Sequence, residues 1–386
     1  MIVSAPASTT SSSVDRPPAN TGAKRLIVES SASSCYFRTS VGGDGRKALV
    51  QITERCDLHC AHCFVSSTAV GQDMSLEQFR DVVLPRLVAS RVERVTLTGG
   101  EPTIHPEFLA ICESVVVAGL PLAVCTNGAA VTAEMIATLA GLGDVHVNIS
   151  FDGFRTDTHG KFRGNRASFD RTVATARMCA DAGILQGLLS TPNLLTEPGE
   201  FAELCDFALE LGAKYVLMNP LSSFGRGVKS KGRLAAPADM MRAIRAATDR
   251  FADQLDRVLI RFPNEGLPLG GCDAGKLVYV FTDGEMAVCP YLAFAARTPI
   301  SQHADREFMV GNILAGDVAG ALDGYDFHAR YPSGTNPTCG SCAIHSSCGK
   351  GCPAAVVANG GRIGEVDAEQ CPTVDGRKLL PLAVAS

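Results

Sequence analysis

From Ala48 to Asn219 the chain repeats one pattern, a short apolar run followed by a longer stretch of helical periodicity. The strand-type runs are Ala48–Thr53, Arg94–Thr98, Pro121–Thr126, Val145–Ser150, Ile184–Thr191 and Tyr215–Asn219. Helical segments are predicted over Ser75–Ala89, Pro106–Ala118, Thr132–Leu142, Ser168–Ala182 and Glu200–Leu211. In the first of these, Leu76, Phe79, Val82, Val83 and Leu87 form one apolar stripe behind a serine cap. Regular alternation over six units predicts a parallel sheet of the α/β class. With short strand-to-helix connections it predicts a partial (β/α)6 TIM-like barrel. Chemistry in such barrels gathers where the strands end. Helix 238–255 and the segment 257–262 (RVLIRF) are expected to lead out of it.

The first strand delivers Cys56-Asp-Leu-His-Cys60-Ala-His-Cys63, three thiols with gaps of three and two residues. No other cysteine lies between Cys35 and Cys112, so the loop has no local fourth thiol. Iron–sulfur clusters are usually held by four cysteine thiolates, and three would leave one iron open to a small molecule. Zinc is the competing occupant, but its structural sites close with four ligands.

The motif resembles the CxxxCxxC signature of the radical S-adenosylmethionine (SAM) enzymes. That resemblance implies a [4Fe–4S] cluster on Cys56, Cys60 and Cys63, whose open iron is chelated by SAM. Reduction then cleaves SAM to methionine and a 5′-deoxyadenosyl radical. The other strand ends extend the likeness. Thr98-Gly99-Gly100-Glu101-Pro102 is similar to the GGEP motif that holds the SAM amino group, its glycines allowing close backbone approach. Thr126-Asn127-Gly128 closes strand three, and Ser150-Phe151-Asp152-Gly153 resembles a segment whose polar side chains meet SAM. Downstream, His159 to Gly164 resembles an HDxxRG stretch, with Gly160 in place of the aspartate. By that likeness Arg163 pairs with the SAM carboxylate, a task suited to a planar bidentate donor. Ser190 and Asn219 end strands five and six, at positions that suit the ribose and adenine, and His62 stands where an aromatic often packs near adenine.

A second thiol system comprises Cys272, Cys289, Cys339, Cys342, Cys348, Cys352 and Cys371. Its spacing, with Gly284 between the first two, matches the seven-cysteine SPASM extension of radical SAM enzymes. The resemblance implies two auxiliary [4Fe–4S] clusters, one on Cys339, Cys342, Cys348 and Cys371, the other on Cys272, Cys289 and Cys352. Where some relatives place an eighth cysteine, this chain has Gly266. The second cluster would then be completed by substrate, solvent or a side chain such as Glu265. Seven thiols do not divide into closed four-ligand zinc sites. Of the remaining cysteines, Cys112, Cys179 and Cys205 read as small buried hydrophobes. Cys125, at the end of strand three, is a candidate hydrogen donor to a substrate radical, and Cys35 a weaker one.

The expected organisation is a disordered tail over 1–25, a hairpin over 26–46, a radical SAM partial barrel over 47–255, and a linker with SPASM domain over 256–386. A net charge of −5 gives no basic field for nucleic acid, and no apolar run approaches the about 20 residues of a membrane span. Without a secretory signal, fifteen cysteines read as metal ligands, which places the chain in the cytoplasm. An electron donor such as flavodoxin or ferredoxin is implied as a partner. The expected function is oxidative modification in natural-product biosynthesis, on a ribosomal peptide. The alternative is dehydrogenation, epimerisation or decarboxylation of a sugar, aminocyclitol or nucleoside. About 45 residues precede the first barrel strand, too few for a fused leader-binding domain, which would favour a small molecule. A sulfatase maturase and a non-catalytic iron–sulfur scaffold complete the field. The scaffold predicts loss of Glu101 or of a loop cysteine, and all are present.

Overall fold

A computed structural model describes residues 44–263 and 266–371. The expected tail, the two hairpin strands with Cys35, and Glu265 lie outside these residues. Ten strands form one sheet in the order β10-β9-β8-β1-β2-β3-β4-β5-β6-β7. Strands β1 (Arg46–Thr53), β2 (Val92–Gly99), β3 (Leu122–Thr126), β4 (Val145–Ser150), β5 (Leu185–Ser190) and β6 (Tyr215–Met218) are the six expected runs, each parallel to the next.

The helices between them are α1 (Leu84–Ala89), α2 (Phe108–Val117), α3 (Ala133–Leu142), α4 (Thr156–Arg163), α5 (Ser168–Asp181) and α6 (Pro198–Glu210). Before α1 the helix starts at Gln78 with π-type turns, and Ser75 still caps it by accepting from the Gln78 amide. Thr132 caps α3 by accepting from the Met135 amide. Helices α7 (Gly227–Leu234) and α8 (Ala238–Thr248) follow β6.

Side chains alternate across each strand. Val95, Leu97, Val124, Val147, Ile149 and Leu188 share one apolar cluster with Phe79, Phe108, Ile111, Phe201 and Leu204 from the helices. Cys125, Leu189, Tyr215, Leu217 and Val258 pack on the opposite face. There the Tyr215 hydroxyl donates to Asn148 Oδ1 across β5. Gly187 makes the crossing possible, since a Cβ at that position would lie 2.5 Å from the tyrosine ring.

One expectation is corrected here. The segment after α8 does not lead out of the sheet, because β7 (Asp256–Leu259) pairs parallel with β6 as a seventh strand. Its four residues continue the strand–helix rhythm, but so short a run carries little periodicity of its own. On the opposite edge, β8 (Leu277–Val280) pairs parallel with β1, and β9 (Glu285–Ala287) and β10 (Met309–Asn312) extend the sheet antiparallel. The sheet is therefore continuous across the 255/256 boundary. Gly284, at φ +86°, turns the chain between β8 and β9, where a Cβ would meet Asn312 Oδ1 and Leu314 Cγ at 2.6 Å. After β9 comes α9 (Pro290–Ala296), against which the short helix Pro353–Ala358 packs.

Candidate active site

The three loop thiols leave β1 at its C-terminal end and are held from two sides. On one side, carbonyls of α4 accept from the loop: His59 N–H to Arg163 O at 3.2 Å, and Ala61 N–H to Phe162 O at 2.9 Å. On the other, Arg226 donates from Nε to Cys60 O at 2.8 Å and from Nη1 to Ser67 O at 2.6 Å. Its own amide donates to Cys63 O at 2.9 Å, and Ser230 Oγ donates to Ala61 O at 2.7 Å. Glycines permit both approaches. A Cβ at Gly164 would lie 2.9 Å from His59 O, and one at Gly225 would lie 2.4 Å from Phe64 O. Cys56 and Cys60 are buried and Cys63 half-buried; burial pushes the first two thiols up to about 12. Among the described residues no three His, Cys, Asp or Glu side chains are arranged to hold a single metal ion.

Gly99 and Gly100 serve the same loop. A Cβ at Gly99 would lie 2.3 Å from Thr53 O, and one at Gly100 would lie 2.0 Å from Arg55 O. The close neighbour that demands glycine is thus the chain's own β1 exit. Glu101 is 1% exposed. Its Oε1 accepts from Thr103 Oγ1 and Thr126 Oγ1, both at 2.6 Å, and its Oε2 accepts from Asn127 N–H at 2.7 Å. Burial nonetheless lifts this carboxyl above its ordinary value. Asn127 Nδ2 donates to Asp57 Oδ1 at 2.8 Å, tying the end of β3 to the thiol loop.

Asp152, also 1% exposed, accepts from Thr191 N–H at 2.8 Å and pairs with Arg163 Nη2 at 2.8 Å. Burial alone would raise its carboxyl, but Arg163 and then the neighbouring histidines hold it below the usual range. Arg163 is buried near Cys60, and Asp152 meets its charge. The alternation of apolar and polar residues after β4 gives no hint of that pairing. His62 stacks on Phe162 with ring centroids 4.9 Å apart. It sits 3.6 Å from Asp152, yet burial lowers its pKa to about 4, so at neutral pH this contact is not an ion pair. His159 is a core residue, packed against Phe151 and Phe169 and accepting from the Asp152 amide. Ser150 is half-buried at the end of β4, and Asn219 donates its amide to Ser190 O at 2.9 Å. Buried polar atoms are nearly always paired; Ser190 Oγ, His62 Nδ1 and Arg163 Nε are among those here without a hydrogen-bond partner.

The downstream thiols fall into two groups. Cys339, Cys342, Cys348 and Cys371 line one cavity together with Asp367 and His345. Cys289 lies close enough to Cys272 and Cys352 for their charges to reinforce the effect of burial, which pushes its thiol up to about 12. Asp367 stands between the groups, lining the first cavity and accepting from the Cys352 amide at 3.2 Å. Arg261 holds it with bonds of 2.6 and 3.0 Å. Cys125 is buried in the cluster with Leu189, Tyr215 and Leu217, while Cys112, Cys179 and Cys205 are buried in α2, α5 and α6. Sequence reasoning missed Arg226, Arg261 and Asp367, because their partners are backbone atoms or each other.

The radical SAM superfamily model matches residues 50–208, which span β1 and the thiol loop through most of α6. The chain thus contains a radical SAM domain over those residues. The chain is 27% identical over 323 residues to the mycofactocin maturase MftC of Mycolicibacterium smegmatis, covering 79% of this chain and 77% of that one. It is 28% identical over 271 residues to the antilisterial bacteriocin subtilosin biosynthesis protein AlbA of Bacillus subtilis, covering 69% of this chain and 57% of AlbA. Among solved structures, Streptococcus suis SuiB bound to S-adenosylmethionine superposes with a TM-score of 0.65 at 17% identity, covering 87% of this chain and 77% of SuiB. SuiB has also been solved with its precursor peptide SuiA. That likeness bears on the fold. Among the described residues no helix is long and apolar enough to cross a membrane.

Proposed function

We propose that this radical SAM enzyme oxidatively modifies a ribosomally made peptide. The observation that carries the reading is the meeting, at one mouth, of the Cys56–Cys63 thiols with Glu101 and Asn127. The names of MftC, a maturase, and AlbA, a bacteriocin biosynthesis protein, favour a peptide over a small molecule.

Cys56, Cys60 and Cys63 would hold a [4Fe–4S] cluster. Gly99, Gly100, Glu101, Thr126, Asn127, Ser150, Asp152, Arg163, Ser190, Asn219 and His62 would surround SAM. When bound, the pair supplies one-electron cleavage of SAM and removal of a substrate hydrogen. The chain's own contribution is placement: Arg226 and α4 fix the thiol loop, and Glu101 is aimed by four donors. The apolar face of Leu189, Leu217 and Val258 would exclude water from a reactive carbon centre. Cys125 on that face is placed to return a hydrogen if the net reaction is redox-neutral. The two downstream thiol groups would hold auxiliary [4Fe–4S] clusters that accept the second electron of an oxidation. A flavodoxin or ferredoxin would supply the first, in the cytoplasm.

The test is anaerobic reconstitution followed by dithionite, SAM and the short precursor peptides encoded nearest the gene. The expected outcome is 5′-deoxyadenosine together with a peptide that has lost hydrogen by mass. No 5′-deoxyadenosine would sink the enzyme reading, and 5′-deoxyadenosine made only with a sugar or nucleoside would replace the peptide.

A further inference from the structure

The outer side of the thiol loop carries a concentrated positive charge that the chemistry inside the mouth does not use. Between Gly225 and Arg233 there are four basic residues and no acidic one, in a chain of net charge −5. Lys229 and Arg233 on α7 are exposed, as are Lys161 at the end of α4 and Arg166 just beyond it. Among the described residues none of these four makes an ion pair. Of the acidic groups nearby, Glu369 is engaged by Lys231 and Arg261 and Asp57 by Asn127; Asp157 on α4 and Asp170 on α5 are exposed near Lys161 and Arg166, so the excess of positive charge is carried chiefly by α7. The two basic helix ends meet at one loop residue, Ala61, whose amide donates to Phe162 O and whose carbonyl accepts from Ser230.

We propose that this face, centred on the exposed His59 and on Ala61 and edged by Lys161, Arg166, Lys229 and Arg233, docks an acidic one-electron carrier of the flavodoxin or ferredoxin class. The proposal rests on the reading of Cys56, Cys60 and Cys63 as a reducible cluster site. Charge complementarity identifies the occupant. A protein that is negative overall repels an acidic carrier everywhere except at a local basic patch, which focuses encounter there. Position supplies the second argument. The mouth side of the loop faces the strand ends, where SAM and substrate must lie, so an electron has to enter from outside. Both α4 and α7 are hydrogen-bonded directly to the loop, so a carrier seated on them lies against the backbone of Cys60 and Cys63. One electron leaves the reduced carrier and one arrives at the site held by the three thiols, with no bond or proton transferred.

The full chain is compared with the variants Lys229→Glu/Arg233→Glu and Lys161→Glu/Arg166→Glu, with Lys214→Glu before β6 as a control. Each is assayed for 5′-deoxyadenosine with dithionite and, separately, with an acidic flavodoxin kept reduced by its reductase, and flavodoxin binding is titrated against salt. With dithionite all chains should match. With flavodoxin both double variants should lose about tenfold in rate, and their binding should weaken and lose its salt dependence, while the control stays normal. Equal losses with dithionite, or unchanged flavodoxin rates and binding, would overturn the proposal. So would a patch effect confined to the KM for peptide, which would assign the face to substrate. If wild type makes no 5′-deoxyadenosine even with dithionite, the function proposed above fails instead, and the flavodoxin titration decides the patch alone.

Discussion

Arg226 makes three hydrogen bonds to the loop that carries Cys56, Cys60 and Cys63, and each ends on a backbone carbonyl. Nothing in the sequence marks it, because a carbonyl partner leaves no residue-type signature. The motif residues were legible for the opposite reason: Glu101, Asn127 and Asp152 sit at strand ends fixed by local periodicity. Gly99 and Gly100 were legible as glycines, but their physical cause, the exit of β1, required the fold. Replacing Arg226 by Met removes two charge-assisted bonds and should cost about 3 kcal/mol, read as a lower urea midpoint in the metal-free chain. Arg226→Lys keeps the charge but not the fork that spans Cys60 O and Ser67 O, so it should recover only part of the loss. Wild-type stability in the Met variant would count against the bracket.

At the scale of elements, α7 joins regions far apart in sequence. Its Ser230 holds the thiol loop, while the next residue, Lys231, pairs with Glu369 at 2.6 Å. Glu369 also pairs with Arg261, and Arg261 grips Asp367, whose carboxylate accepts from the Cys352 amide. Burial opposes ionisation of Glu369, but Lys231 and Arg261 outweigh it and bring the carboxyl down from its ordinary 4.5 to about 2. A depressed carboxyl stabilises the folded state above pH 4.5, and that contribution drains away as pH falls towards 2. Glu369→Gln should therefore lower the urea midpoint at neutral pH, with the gap to wild type closing across that acid window. A gap that is constant with pH would show that the pair contributes nothing through charge. None of this strut was readable from the chain, since its acids and bases are separated by more than a hundred residues.

For the whole molecule, the parallel core was legible because six strand–helix units repeat a pattern, whereas β7 was lost to its brevity and β8 to its distance from β1. The proposed two thiol systems predict separable metal loads. Changing Cys56, Cys60 and Cys63 to Ala should remove about four irons per chain and all SAM cleavage, leaving the visible absorbance of the rest. Loss of all iron together would refute separate sites. Continuity of the sheet predicts that a chain stopped at residue 255 bares the outer edges of β1 and β6, and unpaired edges of this kind invite aggregation. It should yield little soluble monomer by size-exclusion chromatography, and a well-behaved monomer would show that the barrel half stands alone.

The pairing of β1 with β8 also sets an order of events during synthesis. Gln51 on β1 and its hydrogen-bond partner Tyr279 are 228 positions apart. When the first thiols leave the ribosome, the strand that presents them has a neighbour on neither side. Pairing with β2 comes soon, but the other flank waits for most of the chain to be made. Until then the loop hangs from a half-finished sheet, exposed to oxygen and to the wrong metals. The flank of the strand that presents the loop is closed only when β8 arrives, just after Cys272, the first thiol of the second system.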